Sequence, residues 1–543
     1  MVACSPMLAR AVMPFANVLH PPTLRAVVRL ALPVVLANLL QSLVNVVDVF
    51  MAGRLGPLSV AAVGMASSVR LLILVVVMAV TAGAMALAAQ AKGARDPLAL
   101  QDVTRQTLLL SLLLALVVSA IGVAVARPMM TFLNGGGPAE VVEAGSAYLI
   151  ILFAGTVLLV AQIALTSLMQ GAGDTVTPLW LAGATNAANV LFNWLFMFGP
   201  GPFPALGVPG AAVGTVLART LGLALALVVV AAGANVIRWP AGRWRWNGER
   251  VRDLLAIGIP SGLQSLAYVA AGFLVVRAVT ATASGSYGAA AMAIGLQIES
   301  FAFMPGVAIS VAATSLVGQA LGAWQPRQAW RSGHAALAAA LALMGAVGLA
   351  LFVFAEPLVR LFDPSAHPIV VADGAAYLRI NGAVQPILAV FMVLNGALRG
   401  AGDVRAGLIG TVVGRWLVVV PCAWLLGAWG PWGTTGVWWA LFLGIVVQAS
   451  WVAFRWRRGG WLQVALKRSE VWRRHLQRLD ADARAAFLDG VRTPAMAEDG
   501  TREVVTAEGV SYERDGEVVA RWLAPRQPPT GAAEAAPRAP AGA

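Results

Sequence analysis

The chain has 543 residues, of which 59% are hydrophobic and only 12% are charged. A water-soluble protein of this length could not cover so apolar a composition, which excludes a soluble globular enzyme or binding domain. The formal net charge of +13 does not point to nucleic acid, because the basic residues sit at the ends of apolar runs and in alternate connections.

Met1–Pro22 contains prolines and a histidine but no clear apolar core, so no cleavable signal peptide is expected and the first apolar helix directs insertion. Apolar runs punctuated by Gly, Pro and charge then give twelve spans: 28–52, 60–90, 104–127, 142–169, 176–199, 207–235, 253–281, 287–320, 331–355, 372–398, 405–427 and 433–456. The expected organisation is a cytoplasmic tail over 1–27, a six-helix bundle over 28–235, a linker over 236–252, a second bundle over 253–457 and a partly disordered tail over 458–543. Within that tail, Leu462–Gly490 reads as a charged helix near the membrane surface and Arg502–Trp522 as a small hairpin, while Pro525–Ala543 is too rich in Ala and Pro to fold. Lys92, Arg95, Arg105, the linker arginines Arg238–Arg252, and Arg327, Arg331, Arg399 and Arg405 fall on the side of the termini, against Arg54, Arg127 and Arg360 opposite. The positive-inside rule places both termini in the cytoplasm of a plasma-membrane protein. Trp239, Trp244 and Trp246 suit the linker to the lipid interface. Cys4 and Cys422 are not expected to pair, and the four histidines form no metal-ligand cluster.

The chain repeats itself. Gln170–Asp174 (Gln-Gly-Ala-Gly-Asp) returns as Arg399–Asp403, with Gly171 lying 229 residues before Gly400. At the same offset Gln90 meets Gln319, Gly93 meets Gly322, Pro97 meets Pro326, Pro128 meets Pro357, and Tyr148-Leu149 meets Tyr377-Leu378. So long a period marks duplicated halves. Six spans per half is an even number, so both halves enter the membrane in one direction and their pseudo-two-fold axis runs along the membrane normal. The two Gly-Ala-Gly-Asp segments read as tight turns, with Asp174 and Asp403 capping the next helices. A phosphate-binding loop is excluded, since no strand precedes them and no Lys-Ser/Thr follows.

Polar residues inside spans carry the chemistry, because burying them in lipid is costly. In the first span Asn38, Gln41, Asn45 and Asp48 follow steps of +3, +4 and +3, an arc of roughly 80° at α-helical pitch. Pro33 removes a backbone hydrogen bond fifteen residues before Asp48 and permits a bend. The amides also suit bonds between helices, whereas a lone carboxylate deep in an apolar half points to function. The fifth span repeats the one-faced pattern with Asn186, Asn189 and Asn193, and Thr215 adds a hydroxyl in the sixth. One carboxylate with several hard neutral oxygens suits Na⁺, and a desolvated carboxylate also suits H⁺. Aligning Pro33 with Pro260, an offset of 227, makes the second half's counterpart stripe Ser261, Gln264 and Tyr268, polar but uncharged, and Asp48 then falls on Val275. Glu299, near Gln297, is the intramembrane acid there, and its counterpart is Arg70. Glu299 and Arg70 either pair across the axis or each pairs locally, with a structural or a substrate role. Asn38, Gln41, Asn45, Gln264, Tyr268, Gln297, Glu299 and Arg70 are the candidate cleft residues.

These marks together resemble the MATE family, the multidrug and toxic compound extrusion antiporters, over about residues 25–457. They are Pro33 to Asp48 leading into Met51-Ala-Gly-Arg-Leu-Gly56, Gln90-Ala-Lys-Gly-Ala94, Gln170–Asp174, Leu316-Val-Gly-Gln-Ala-Leu-Gly-Ala323 and Leu398–Asp403. The resemblance implies an all-α integral membrane fold, two six-helix bundles around a V-shaped cleft, and export driven by H⁺ or Na⁺ influx. It casts Asp48 as the first-helix coupling acid, Pro33 as the proline of the bending helix, and Asn189 and Thr215 as members of the amino-half cation site. Asn193 stands where some members have Asp, so a two-carboxylate Na⁺ site is not matched. Tyr268 and Leu388 stand where one branch has second-half acids, which excludes coupling by those residues.

The expected function is therefore a secondary antiporter exporting amphipathic or cationic drugs or metabolites, acting as a monomer in the bilayer, with H⁺ or Na⁺ as coupling ion and no cofactor. The alternative is a lipid-linked oligosaccharide flippase, for which Arg70, Arg219, Arg277, Arg379 and Arg415 would line the cavity. An intramembrane enzyme is not supported, since no His-rich, Ser-Lys or paired-Asp arrangement occurs. A major-facilitator carrier lacks its basic loop over Ala91–Thr104.

Overall fold

The computed structural model describes residues 21–135, 137–240, 244–363, 367–468, 502–506, 509–514 and 517–523. The chain divides into two compact units, Met1–Trp461 and Leu462–Ala543.

All regular secondary structure described in the first unit is helical. Its helices are α1 (Pro21–Arg54), α2 (Pro57–Gly93), α3 (Pro97–Asn134), α4 (Ala139–Ala154), α5 (Thr156–Gly171), α6 (Val176–Phe198) and α7 (Val208–Ala231). After the linker come α8 (Gly248–Thr280), α9 (Gly285–Gly322), α10 (Pro326–Val353), α11 (Ala355–Phe362) and α12 (Pro368–Gly400). The last are α13 (Arg405–Ala428) and α14 (Gly433–Arg457), while α15 (Gly460–Arg468) begins at the end of this unit and continues in the second. Each expected span coincides with one of these helices or, for the fourth, a bent pair. The helices overrun the apolar runs because caps and N-terminal prolines extend them into polar sequence. Asp96 caps α3 by accepting from Ala99 N at 2.9 Å, and Asn247 caps α8 by accepting from Arg250 N at 3.3 Å. Pro57, Pro97, Pro326 and Pro368 open their helices, where the missing N–H leaves no bond unmade.

Among the described residues ten helices are long and apolar enough to cross a membrane, and eleven when α4 and α5 count as one broken span. The expected fourth span is thus not continuous: it bends by 48° at Gly155, where the Val216 side chain occupies the space a Cβ would need. Helix α6 has the length for a span, 23 residues, but Asn186, Asn189 and Asn193 lower its apolar content.

The repeat motifs prove to be the joint between the halves. Gln90 Nε2 donates to Gly400 O at 2.9 Å, and Gln319 Nε2 donates to Gly171 O at 3.2 Å, so each half reaches into the other's Gly-Ala-Gly-Asp turn. Ser315 Oγ also donates to Gly171 O, at 2.9 Å. A Cβ on Gly93 would strike Gln319 O, and one on Gly322 would strike Gln90 O, so α2 and α9 cross in backbone contact. Within each turn Gly173 and Gly402 adopt positive φ (89° and 82°). Asp174 N and Asp403 N then bond back to Met169 O and Leu398 O at 2.9 and 2.8 Å, closing Schellman-type ends. Asp174 accepts from Thr177 N at 3.0 Å as a cap. Asp403 does not cap: it is buried against Arg455, with Nε to Oδ2 at 2.7 Å, because a basic side chain from α14 reaches it first.

Core clusters lie in each half, and another joins them through α2, α3, α5 and α8. The linker is pinned to the start of α3: Gln106 Nε2 donates to Arg245 O, Asn247 N donates to Gln106 Oε1, and Arg250 meets Asp102 at 3.3 Å. Trp239, Trp244 and Trp246 are exposed on it, as interfacial side chains would be. In the second unit the expected hairpin is a three-stranded antiparallel meander of β1 (Arg502–Thr506), β2 (Gly509–Arg514) and β3 (Glu517–Leu523). The alternation that suggested two strands continues through the third. Most of the expected 462–490 helix and the Pro525–Ala543 tail lie outside the described residues.

Candidate functional site

Helix α7 presents Gly210, Gly214 and Gly222 to α6. A Cβ on Gly210 would meet Phe196 O, one on Gly214 the Asn193 amide, and one on Gly222 both Gln162 and Thr185. Small residues at such steps let two membrane helices approach closely. The buried Asn189 and Asn193 are thereby brought against both α7 and α1. Asn193 Nδ2 donates to Asp48 Oδ1 at 2.8 Å and contacts Asn189 Oδ1 at 3.4 Å. Asn189 Nδ2 donates to Thr215 Oγ1 at 3.1 Å, and Thr215 donates to Ala211 O at 2.8 Å. The sequence candidates Asp48, Asn193, Asn189 and Thr215 thus form one connected chain from three helices. The Asn193 Oδ1 atom is buried and has no hydrogen-bond partner among the described residues, as does Asn186 Nδ2 one turn back from Asn189. An unsatisfied buried amide oxygen beside a carboxylate is an acceptor placed for a proton donor or a hard cation.

The rest of the polar stripe on α1 is less enclosed. Gln41 accepts from Arg219 Nη2 at 3.2 Å, Asn38 is half-buried, and Asn45 is exposed. Pro33 lies inside α1, which runs unbroken from Pro21 to Arg54.

The second half gathers a different set. Glu299 on α9 accepts a hydrogen bond from Tyr377 Oη on α12, a local partner in its own half. The Arg70 side chain lies outside what the structure describes. Arg415 on α13 is buried, with its guanidinium 4.1 Å from the centre of the Tyr268 ring. Arg415 is close enough to act on Glu299 electrostatically. Gln264 and Asn395 both pack over Gly407, where a Cβ would strike the Asn395 amide. Gln297 does not join Glu299: two residues apart on a helix they face different ways, and Gln297 is exposed.

Sequence reasoning did not assign Tyr377 a role, although Tyr377, Asn381 and Gln385 recur at +4 and mark one polar face of α12. Gln385 is fully buried there, with neither amide atom partnered among the described residues. Gln162 was also missed. It donates to Thr185 Oγ1 at 3.0 Å, behind the asparagine line.

A family model described as MatE matches residues 33–195 and 260–425. Its two matches open on Pro33 and Pro260, the paired prolines of α1 and α8. A probable multidrug resistance protein NorM from Thermotoga maritima is 27% identical over 449 residues, spanning 81% of this chain and 94% of the relative. A protein of the same description from Rhodopseudomonas palustris is 31% identical, spanning 79% and 90%. A solved structure described as the outward-facing conformation of a multidrug resistance MATE family transporter of the MOP superfamily superposes with a TM-score of 0.74. It is 24% identical and covers 80% of this chain and 96% of its own, a likeness of fold. The duplicated halves, the helical fold and these relatives agree, and the chain belongs to the MATE family.

Proposed function

We propose that the protein is a secondary antiporter that expels amphipathic, often cationic, compounds in exchange for H⁺ or Na⁺. Asp48 binds the coupling ion, and Asn193, Asn189 and Thr215 complete its surroundings. The observation that carries this reading is the bond from Asn193 to Asp48 beside an amide oxygen left without a donor. The multidrug resistance names of the relatives support the substrate class. One elementary charge moving inward supplies about 2.3 kcal/mol per 100 mV of membrane potential. The protein works in the plasma membrane as a monomer, with both termini in the cytoplasm. The flippase reading asks for arginines converging on a cavity. Among the described side chains, Arg277 donates to Thr280 on its own helix, Arg219 engages Gln41 and Arg415 stacks on Tyr268; no two of these share a partner, which favours the antiporter.

The test is dye efflux from vesicles under an imposed proton or sodium gradient, native protein against Asp48→Asn. Gradient-dependent efflux in the native protein and its loss in the variant are expected. A variant that expels dye at the native rate contradicts the assignment of Asp48.

A further inference from the structure

On α8 the residues Ile257, Ser261, Gln264, Tyr268, Ala271 and Val275 follow steps of +4, +3, +4, +3 and +4, one stripe of the helix. Ile257, Ser261, Ala271 and Val275 are buried, so the stripe faces protein. Tyr268 stands in the middle of it, yet 47% of its surface is accessible. Tyr268 is therefore reachable from outside the packed core, although the stripe is buried on both sides of it.

Arg415 lies across the ring of Tyr268 and is itself only 8% exposed. Its Nε is buried without a partner, and no hydrogen bond from its guanidinium reaches an acceptor among the described residues. Burying an arginine with its donors unused is costly. The charged and titratable groups around it are Glu299 from α9, Tyr377 from α12 and Tyr268 from α8. Glu299 offsets the charge from a distance, but its carboxylate is engaged by Tyr377 and makes no salt bridge with Arg415 among the described residues. The backbone at Arg415 is also unusual. Val412–Val419 is π-helical, with Val420 N bonded to Arg415 O, an arrangement often found at functional sites.

We infer that Arg415 and Tyr268 form an anion subsite of the second half, taking a carboxylate carried by an amphipathic aromatic substrate. The guanidinium fork receives the carboxylate and the Tyr268 ring packs against the apolar body. The inference rests on the export reading above and narrows its substrate class to compounds that bear an acid group. A lipid phosphate presents the same anionic oxygens, so the source is separated by competition.

The experiment is equilibrium binding to the purified full chain in nanodiscs, without a gradient, by anisotropy of a rhodamine bearing a free carboxylate and of its methyl ester. The native protein should favour the acid over the ester by roughly tenfold, the worth of one charge-assisted pair. Arg415→Gln should collapse that ratio toward one, and Arg415→Lys should keep part of it, since the charge remains without the fork. Glu299→Gln should raise the ratio by removing the competing carboxylate. Should Arg415→Gln not yield a monodisperse protein, Tyr268→Leu serves instead and should weaken the binding of acid and ester together, since the ring packs on the body that both share. Loss of acid binding to a short-chain prenyl phosphate competitor assigns the site to lipid phosphate, and overturns the substrate-carboxylate assignment. An unchanged ratio in folded Arg415→Gln, or unchanged affinity for both dyes in Tyr268→Leu, overturns the subsite while leaving export intact. Failure of both dyes to bind native protein overturns the export reading with it.

Discussion

At Asn193 a single amide meets Asp48 with its nitrogen and leaves its oxygen buried without a donor. Removing it in Asn193→Ala takes away a hydrogen bond to a charged group, worth about 1.5–3 kcal/mol. Without that donor the Asp48 charge is less stabilised, so if H⁺ couples transport the half-saturating proton concentration for dye efflux should fall by roughly tenfold or more, whereas if Na⁺ does, loss of the amide oxygen should raise it; an unchanged value counts against the site. Gly214→Ala attacks the same amide from α7, because the new Cβ lands on Asn193. Overpacking of this kind costs about 1–3 kcal/mol, so a lower melting temperature and weakened ion dependence are expected together. Asp48, Asn189 and Asn193 were legible in the sequence because polar groups in apolar runs stand out and their spacing fixes their faces, whereas Thr215 was a lone hydroxyl that only the family resemblance set beside them. Arg415 was legible as an intramembrane charge but not as a neighbour of Tyr268. The two sit on different helices, and sequence spacing reports faces of one helix only.

Among the elements, α13 departs furthest from what periodicity foretells. Its expected span, 405–427, agrees with Arg405–Ala428, yet the two π-helical stretches alter which side chains share a face. Pro421 lies between them and lacks the N–H that a regular helix would use to bond Leu417 O. Pro421→Ala should allow α-helical bonding there and rotate Arg415 away from Tyr268. The acid-to-ester binding ratio is then expected to fall, while a ratio equal to that of native protein shows that the π geometry does not set the Arg415 position. The break at Gly155 was hidden for a similar reason. A glycine inside an apolar run signals close packing or a bend equally well, and only the Val216 side chain facing it decides.

At the scale of the whole molecule, the repeat visible in the sequence turns out to be a contact as well as a duplication. Gln90 and Gln319 each hold the opposite half's turn, and the paired glycines permit the backbones of α2 and α9 to touch. The repeat offset disclosed the halves, but pairing across them is not readable from one copy of a motif. Replacing both glutamines by alanine removes two bonds between halves. Amide exchange around Gly171 and Gly400 should then accelerate, and protection equal to native would show that the glycine packing alone holds the joint. These bonds tie the two halves at their turns, whereas the Asp48 cluster lies wholly in α1, α6 and α7. The Asp48 cluster and the joint between halves are thus separate parts linked through α1, which also packs on α9 and α10.

The central claim is that Asp48 couples ion movement to dye movement, and its most direct test is the reverse experiment. Proteoliposomes are given a dye gradient alone, and the internal H⁺ or Na⁺ concentration is followed with an ion indicator. The account predicts that dye flow drives one of these ions the opposite way in native protein. In Asp48→Asn that ion movement should be absent, although the dye still binds. Ion counterflow of native size in Asp48→Asn would contradict the account.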